Sequence, residues 1–457
     1  MPNLIAYGAL IAWPFIGLLQ FLRLRPRTAI IWSILAAYLL LPVKTQFDFP
    51  GVPPLDKELI PNLTALVLAV TLTRFKLHLL PRSVLVKAAI FVFILSPFLT
   101  SLGNPDPIVL TNQTLAAMSF YDAFAAAVRQ AAILIPFLLG YQMLGDEDGH
   151  RRILWALMIA GLAYSVLMLI EIRLSPQLHA IIYGFFPHSF GQQVRDGGYR
   201  PVVFLGHGLL VAIFCAMSLL SVAALSRMRR SVAGVPLIVI LVYLAVVLVL
   251  CRSLGALILT LCAAPLVLFA RPRFMVLVAA CLGLCILSYP ALRGAGLIPV
   301  ETITALSGSA GDDRQGSLKF RLENEDQLLE KASERPLFGW GTWGRNRLYK
   351  GYGGRDSSTT DGTWIIVVGI YGWVGYIACF GLLCYPLIAR LRRGRASGAI
   401  PLATASLGIV HMINLLDLIP NSSLTPVTWL IAGALSGAVA QKWKAAPPVA
   451  AQEEATQ

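Results

Sequence analysis

The stretch GVPLIVILVYLAVVLVLCRSLGALILTLCAAPLVLFARPR, residues 234–273, consists of two apolar runs divided by the short polar step Cys251-Arg252-Ser253 and closed by a basic cluster. Neither run alternates apolar and polar residues as a barrel strand would. Each approaches the roughly 20 apolar residues that a helix needs to cross hydrocarbon. Main-chain N–H and C=O groups cannot be left open in lipid. The stretch therefore reads as two membrane helices joined by a tight connection.

The same pattern recurs along all 457 residues. About thirteen such segments begin near Asn3, Thr28, Leu59, Ser83, Tyr121, Ile153, Pro201, Gly234, Ser253, Phe274, Gly362, Ser397 and Leu424. Hydrophobic residues make up 57% of the chain and charged residues 13%, which excludes a soluble domain of this size. The expected fold class is all-α, a polytopic membrane bundle of about 12–13 helices with a cap on one side. Its expected parts are residues 1–289, a transmembrane bundle with short outer loops; 290–361, a large outer loop; 362–440, further transmembrane helices; and 441–457, a disordered cytoplasmic tail.

A net charge of +14 would suit nucleic acid, but the basic residues are spaced otherwise. RLRPR (23–27), RFKLHLLPR (74–82), Arg151-Arg152, RMRR (227–230), RPR (271–273), RLRRGR (390–395) and KWK near the C-terminus fall in every second connection. That is the positive-inside pattern, so these clusters face the cytoplasm and the lipid bilayer, and no nucleic-acid partner is expected. The first apolar segment follows only Met-Pro-Asn, without a basic leader region or cleavage site, and reads as a retained helix. Seven cysteines lie in or beside apolar segments with no CxxC spacing, which suits small packing residues and gives no metal site.

Two outer connections are long enough for chemistry. Residues 173–200 end in Arg200, just before PVVFLGHGLL. Residues 290–361 contain SLKFRLENEDQLLEKASERP, read as an amphipathic surface helix with Ser317 at its N-cap and Leu318, Leu322 and Leu329 as its apolar stripe. RPLFGWGTWG (335–344) follows. Its glycines allow tight turns or close approach to a ligand. Trp340 and Trp343 suit either headgroup anchoring or stacking on a sugar ring. The stretch is no dinucleotide or P-loop motif, since no strand precedes it and no Gly-Lys-Ser/Thr follows.

Arginine forks suit phosphate, and Arg200, Arg252 and Arg321 on one side of the membrane read as an anion site. Arg252 alone could equally be a snorkelling helix-end residue. Glu171 could pair with Arg173 or serve the site. His207 could be an interfacial histidine or a base. Asp361 could cap the following helix or accept a proton.

RPVVFLGHG, CRSLGALIL, FRLENEDQLLEKASERPLFGWGTWG and DGTWIIVVGIYGWVGYIACFGLL occur in an order that resembles the bacterial O-antigen ligase and O-antigen polymerase superfamily over roughly residues 150–390. The resemblance implies an inner-membrane glycosyltransferase that moves a glycan from an undecaprenyl-pyrophosphate carrier to a glycan acceptor, either carrier-linked or lipid A core. It implies no metal, nucleotide or other cofactor, an active site facing the periplasm, and a chain-length regulator protein as a further partner. Arg200 and Arg321, with Asp361, are the expected catalytic residues. Arg252, His207, Arg335, Trp340, Trp343, Arg345 and Glu171 are the expected substrate-binding residues. Where ligases carry His-Asn, this chain reads Asp361-Gly362, which favours a polymerase or another branch. A lipid-linked oligosaccharide flippase or secondary transporter is the main alternative, and a non-enzymatic assembly subunit a third.

Overall fold

The computed structural model describes residues 1–49, 53–73, 80–195, 197–300, 312–350, 355–393 and 399–440. The tail 441–457, most of the 74–82 cluster, the end of the 390–395 cluster and part of the 290–361 loop lie outside the described residues. Among the described residues the chain is helical, with five two-stranded antiparallel hairpins at its connections. It is an all-α polytopic helix bundle.

Each of the thirteen apolar segments corresponds to a helix. Seven described helices are long and apolar enough to cross a membrane. They include α1 (Leu4–Arg23), α4 (Val84–Leu102), α7 (Glu147–Leu174), α9 (Gly208–Ser226) and α12 (Pro272–Gly294). A further span, Phe120–Met143, divides into α5 (Phe120–Ile133) and α6 (Ile135–Met143), and the last opens α14 (Thr363–Arg393). Shorter apolar helices complete the set: α2 (Pro26–Leu40), α3 (Leu59–Leu72), α10 (Leu237–Leu250), α11 (Leu254–Phe269), α15 (Leu402–Asp417) and α16 (Pro426–Ala440). Among the described residues two further helices are not spans: α8 (Leu178–Tyr183) and α13 (Asp312–Ser333).

Helix α9 is the axis of the bundle, buried almost along its whole length and touching α7, α10, α11 and α15. Helices α1, α10 and α11 turn broad Leu, Ile and Val faces outward, as a lipid-facing surface requires. The cysteines divide: Cys215, Cys251, Cys379 and Cys384 are packed inside, whereas Cys262, Cys281 and Cys285 are exposed on α11 and α12. A cysteine is apolar enough to face either lipid or protein, so the packing expectation holds only for the first four.

The basic connections meet at one end of the bundle. Arg27 pairs with Asp146 at 2.8 Å, Arg152 reaches Thr28, and Arg229 lies over the Trp155 ring. The longer connections gather at the other end, where Lys57 bonds the carbonyls of Tyr38 and Phe204 and Arg293 bonds that of Leu322.

Helix α13 departs from the sequence reading. It starts at Asp312, so Ser317 lies inside it rather than at its cap. Its buried face carries Asn324, Glu325, Leu328 and Ala332, with Leu329 partly buried against the core, where it packs on α14.

Helix α14 is broken at Gly372, whose φ of 64° lies in the left-handed region. The Arg335–Gly344 turn fills the break backbone to backbone. Trp373 and Val374 N–H donate to the Pro336 and Leu337 carbonyls, and Trp340 and Gly341 N–H donate to the Gly369 and Ile370 carbonyls. A β-carbon at Gly372 would collide with the Leu337 backbone, so glycine is needed for this approach. The break lies nine residues inside the helix, roughly 14 Å along its axis, where unpaired backbone groups would be costly.

Candidate functional site

A cavity of about 580 Å³ opens at the loop-rich end between three connections. The segment before α9 contributes His188, Gln192, Arg195, Arg200 and His207; α13 contributes Phe320 and Arg321; the segments before α14 and α16 contribute Thr359, Thr360, Asp361, Asn421, Ser422 and Ser423. Three guanidiniums and one carboxylate therefore face a single space.

Arg200, Arg321 and Asp361 are each held in place. Arg200 Nε and Nη2 donate to the Arg252 carbonyl at 3.2 and 3.0 Å, and Arg200 N–H donates to the Gln193 carbonyl at 2.8 Å. The Gln193 side chain in turn accepts from Gly208 N–H, tying the loop to the first turn of α9. Arg321 Nε lies 3.0 Å from Asp361 Oδ2, with both side chains about 30% exposed at 29% and 31%. Arg321 Nη1 also reaches Asn421 Oδ1 at 3.5 Å. Asn421 and Ser423 both donate to the buried Asp417 carboxylate, at 2.8 and 2.7 Å, which fixes the polar turn between α15 and α16.

Asp361 stands outside the capping position of α14, which Gly362 occupies. A β-carbon at 362 would meet the Ile419 carbonyl and, at 2.9 Å, the Trp364 ring, so the small residue lets the Asp361 segment pass close over the α15–α16 turn. His207 caps α9: its Nδ1 accepts from Leu209 N–H at 3.1 Å, which leaves the ring proton on Nε2, facing Gln192 Oε1 at 3.4 Å. Burial, followed by the positive surroundings of His188, Arg200, Arg321 and Arg195, pushes its pKa down to about 4. His207 is thus a neutral donor to the cavity whose basic nitrogen is already used.

The other sequence candidates lie outside the cavity lining. Arg252 takes a left-handed backbone, φ 51°, and its Nη1 donates to the Arg195 carbonyl at 2.6 Å; it supports the arginine-bearing hairpin Val194–Arg195/Gly198–Tyr199. Glu171 is fully buried and accepts from the Leu178, Val202 and Val203 amides at 2.9, 2.7 and 2.7 Å, so its bonds go to loop backbone and not to Arg173.

Arg335 bonds the Gly103 carbonyl, with its guanidinium 4.4 Å from the Trp340 ring centroid. Trp340 is buried, its indole donating to the Lys331 carbonyl at 2.7 Å, so it is neither a headgroup anchor nor a stacking surface. Trp343 is 71% exposed and donates to Asp122 at 3.0 Å. Arg345, 1% exposed, donates to the carbonyls of Trp340, Ala116 and Asp106 and to Asn104 Oδ1.

Sequence reasoning missed His188, Arg195, the Asn421-Ser422-Ser423 turn and Glu325. The turn left a signal: DLIPNSSLTP is a polar step between two apolar runs, too short to have attracted notice. Glu325, one helical turn beyond Arg321, is 5% exposed, and its pKa is pushed up to about 7 by burial, against the Trp364 indole and Arg293, which favour its charged form. Among the described residues no cluster of His, Cys, Asp or Glu has the geometry to hold a metal ion.

The arrangement can grip a compact multivalent anion among guanidiniums, with a carboxylate beside it able to take or orient a proton. No curated protein matches the chain. Residues 237–380 match a family model described as O-antigen ligase, a segment that contains Arg321 and Asp361 and the broken helix but not Arg200 or Asn421. That match covers about a third of the chain, so the chain is similar to the O-antigen ligase family there; with the many-helix bundle, this supports a multi-pass membrane protein with a glycosyl-transfer-like role in O-antigen assembly.

Proposed function

We propose that the cavity is the transfer site of an inner-membrane enzyme that polymerises or ligates undecaprenyl-pyrophosphate-linked oligosaccharides at the periplasmic face, without a metal. The observation that carries this reading is the Arg321–Asp361 pair, 3.0 Å apart, in the cavity shared with Arg195 and Arg200. An acceptor hydroxyl attacks the anomeric carbon of the donor sugar, and the bond to the pyrophosphate oxygen breaks as the new glycosidic bond forms. Negative charge grows on the leaving phosphate, where fixed guanidiniums stabilise it most. Arg321 then turns from Asp361 to the phosphate, and Asp361, released from its ion pair, accepts the hydroxyl proton. Displacement from the opposite face inverts the anomeric configuration. The positive-inside pattern supports the placement, since it puts the basic end in the cytoplasm and the cavity on the other side.

One observation bears on the transporter alternative. Broken helices at membrane depth often hold substrates or ions in transporters. Here the groups freed at Gly369, Ile370, Trp373 and Val374 are all bonded to the Pro336–Gly341 main chain, which leaves the break structural. The test is to incubate purified protein with a lipid-pyrophosphate oligosaccharide and acceptor, without ATP, nucleotide sugar or ion gradient. Consumption of the donor with release of the lipid pyrophosphate is expected. Intact donor, with movement across a bilayer only when a gradient is imposed, would contradict the proposal.

A further inference from the structure

At the basic end, far from the transfer cavity in the fold, a second pocket of about 380 Å³ lies between α2 and α7. Its lining changes character along one stripe of α7. Asp148, Arg151 and Arg152 stand at the rim, Trp155 and Ala156 one turn deeper, and Ile159 a turn below that; Thr28, Ile31 and Trp32 of α2 form the opposite wall. From Arg151 to Ile159 the stripe descends roughly 12 Å, the distance from a phosphate group into the upper acyl chain. Below it the exposed residues Ile159, Val166 and Ile170 carry the apolar surface further along α7.

The rim is cationic in excess of its internal pairs. Arg152 Nε bonds Asp148 at 2.7 Å and its Nη1 bonds Thr28 at 3.2 Å, while Arg151 Nη2 bonds Glu147 at 3.1 Å. A guanidinium has five N–H donors, so these contacts fix the two forks while using a minority of their donors. Arg27, held by Asp146 at 2.8 Å, also reaches Asp148 at 3.3 Å, and Arg229 sits 5.9 Å from the centroid of the Trp155 ring, so four arginines stand against the three carboxylates of Asp146, Glu147 and Asp148.

A cationic rim, two indoles at headgroup depth and an apolar floor opening to the bilayer match the parts of one amphiphile in order. We propose that this pocket binds one anionic glycerophospholipid, its phosphate on Arg151 and Arg152, its glycerol region against Trp32 and Trp155, and an acyl chain along Ile159. Because Arg152 and Thr28 join α7 to α2, the bound lipid also clamps the N-terminal helices to the bundle. The inference is independent of the transfer reaction.

Native mass spectrometry of the delipidated full-length protein, titrated with phosphatidylglycerol or phosphatidylcholine of identical chains, tests it. The wild type is expected to retain one phosphatidylglycerol with a preference of roughly tenfold, since both lipids offer the phosphate but phosphatidylcholine also brings a cation beside the arginines. Arg151→Gln should lose several-fold of that preference while remaining folded, since Arg151 pairs only at the surface. Trp155→Leu should weaken retention of both lipids, and Arg271→Gln, a basic residue outside the pocket, should change nothing. Equal retention of the two lipids by wild type would overturn the proposal, and so would an unchanged preference in Arg151→Gln.

Discussion

Two regions at the loop-rich end look alike in sequence and differ in structure. The Arg335–Arg347 turn and the cavity around Arg200, Arg321 and Asp361 are both rich in arginine and close to a helix start. In the turn, Arg345 is almost fully buried with its donors on three carbonyls and an amide oxygen, and Arg335 is spent on the Gly103 carbonyl. In the cavity, Arg195, Arg200 and Arg321 share one open space with a single carboxylate. Arg345 is enclosed by its acceptors and is a brace, whereas Arg200, although anchored on the Arg252 carbonyl, lines a space with Arg195 and Arg321, an arrangement suited to an anion.

The largest effect that would break this contrast lies in the turn. Arg345→Ala leaves buried acceptors open and is expected to cost about 3–5 kcal/mol, read as a large drop in unfolding temperature in detergent. A stable Arg345→Ala protein would show that the turn is no brace. Next comes Arg321→Ala, for which the expectation is reversed. Its partly exposed ion pair contributes at most about 1 kcal/mol to stability. Glycosyl transfer, by contrast, should fall about 10²–10³-fold, and Arg321→Lys should recover little of it because the planar fork is lost.

Glu325 gives a smaller effect with a defined pH dependence. Its carboxyl, ordinarily near 4.5, titrates at about 7 in the fold because burial disfavours the charge. The folded state holds the proton more tightly than the unfolded chain, so the stabilisation is complete below pH 4.5 and is lost as pH rises to about 7. Glu325→Gln should therefore raise stability at pH 8, by on the order of 2 kcal/mol, and leave it unchanged at pH 4. A benefit that persists at pH 4 would place the cause in packing. The smallest effect is expected at Trp343, 71% exposed with one hydrogen bond to Asp122: Trp343→Leu should change stability by no more than about 0.5 kcal/mol and leave transfer intact.

The sequence was most informative where physics is local. Hydrocarbon thickness and backbone pairing make each apolar run a helix, and charge asymmetry orders the connections, so the bundle was legible without coordinates. Arg200, Arg321, His207 and Asp361 could be picked out as polar groups at helix ends, but nothing local says that connections about 100 residues apart meet at one cavity, as Arg321 and Asn421 do. The Gly372 break was hidden for the same reason. Its main-chain partners come from Pro336 and Leu337, and GIYGWVG reads equally well as continuous helix. The start of helix α13 was hidden as well, since Ser317 reads as a cap while the helix begins at Asp312, and its protein contact runs through Asn324 and Glu325 beside Leu328.

The central claim, that the cavity carboxylate serves the reaction, is tested most directly at Asp361. Asparagine keeps the size and can still accept a hydrogen bond from Arg321, but it cannot take a proton near neutral pH. With purified Asp361→Asn protein of unchanged unfolding temperature, donor consumption should fall at least about 10²-fold, as loss of a general base typically gives. Turnover within a few-fold of wild type would contradict the account and reduce Asp361 to a structural partner of Arg321.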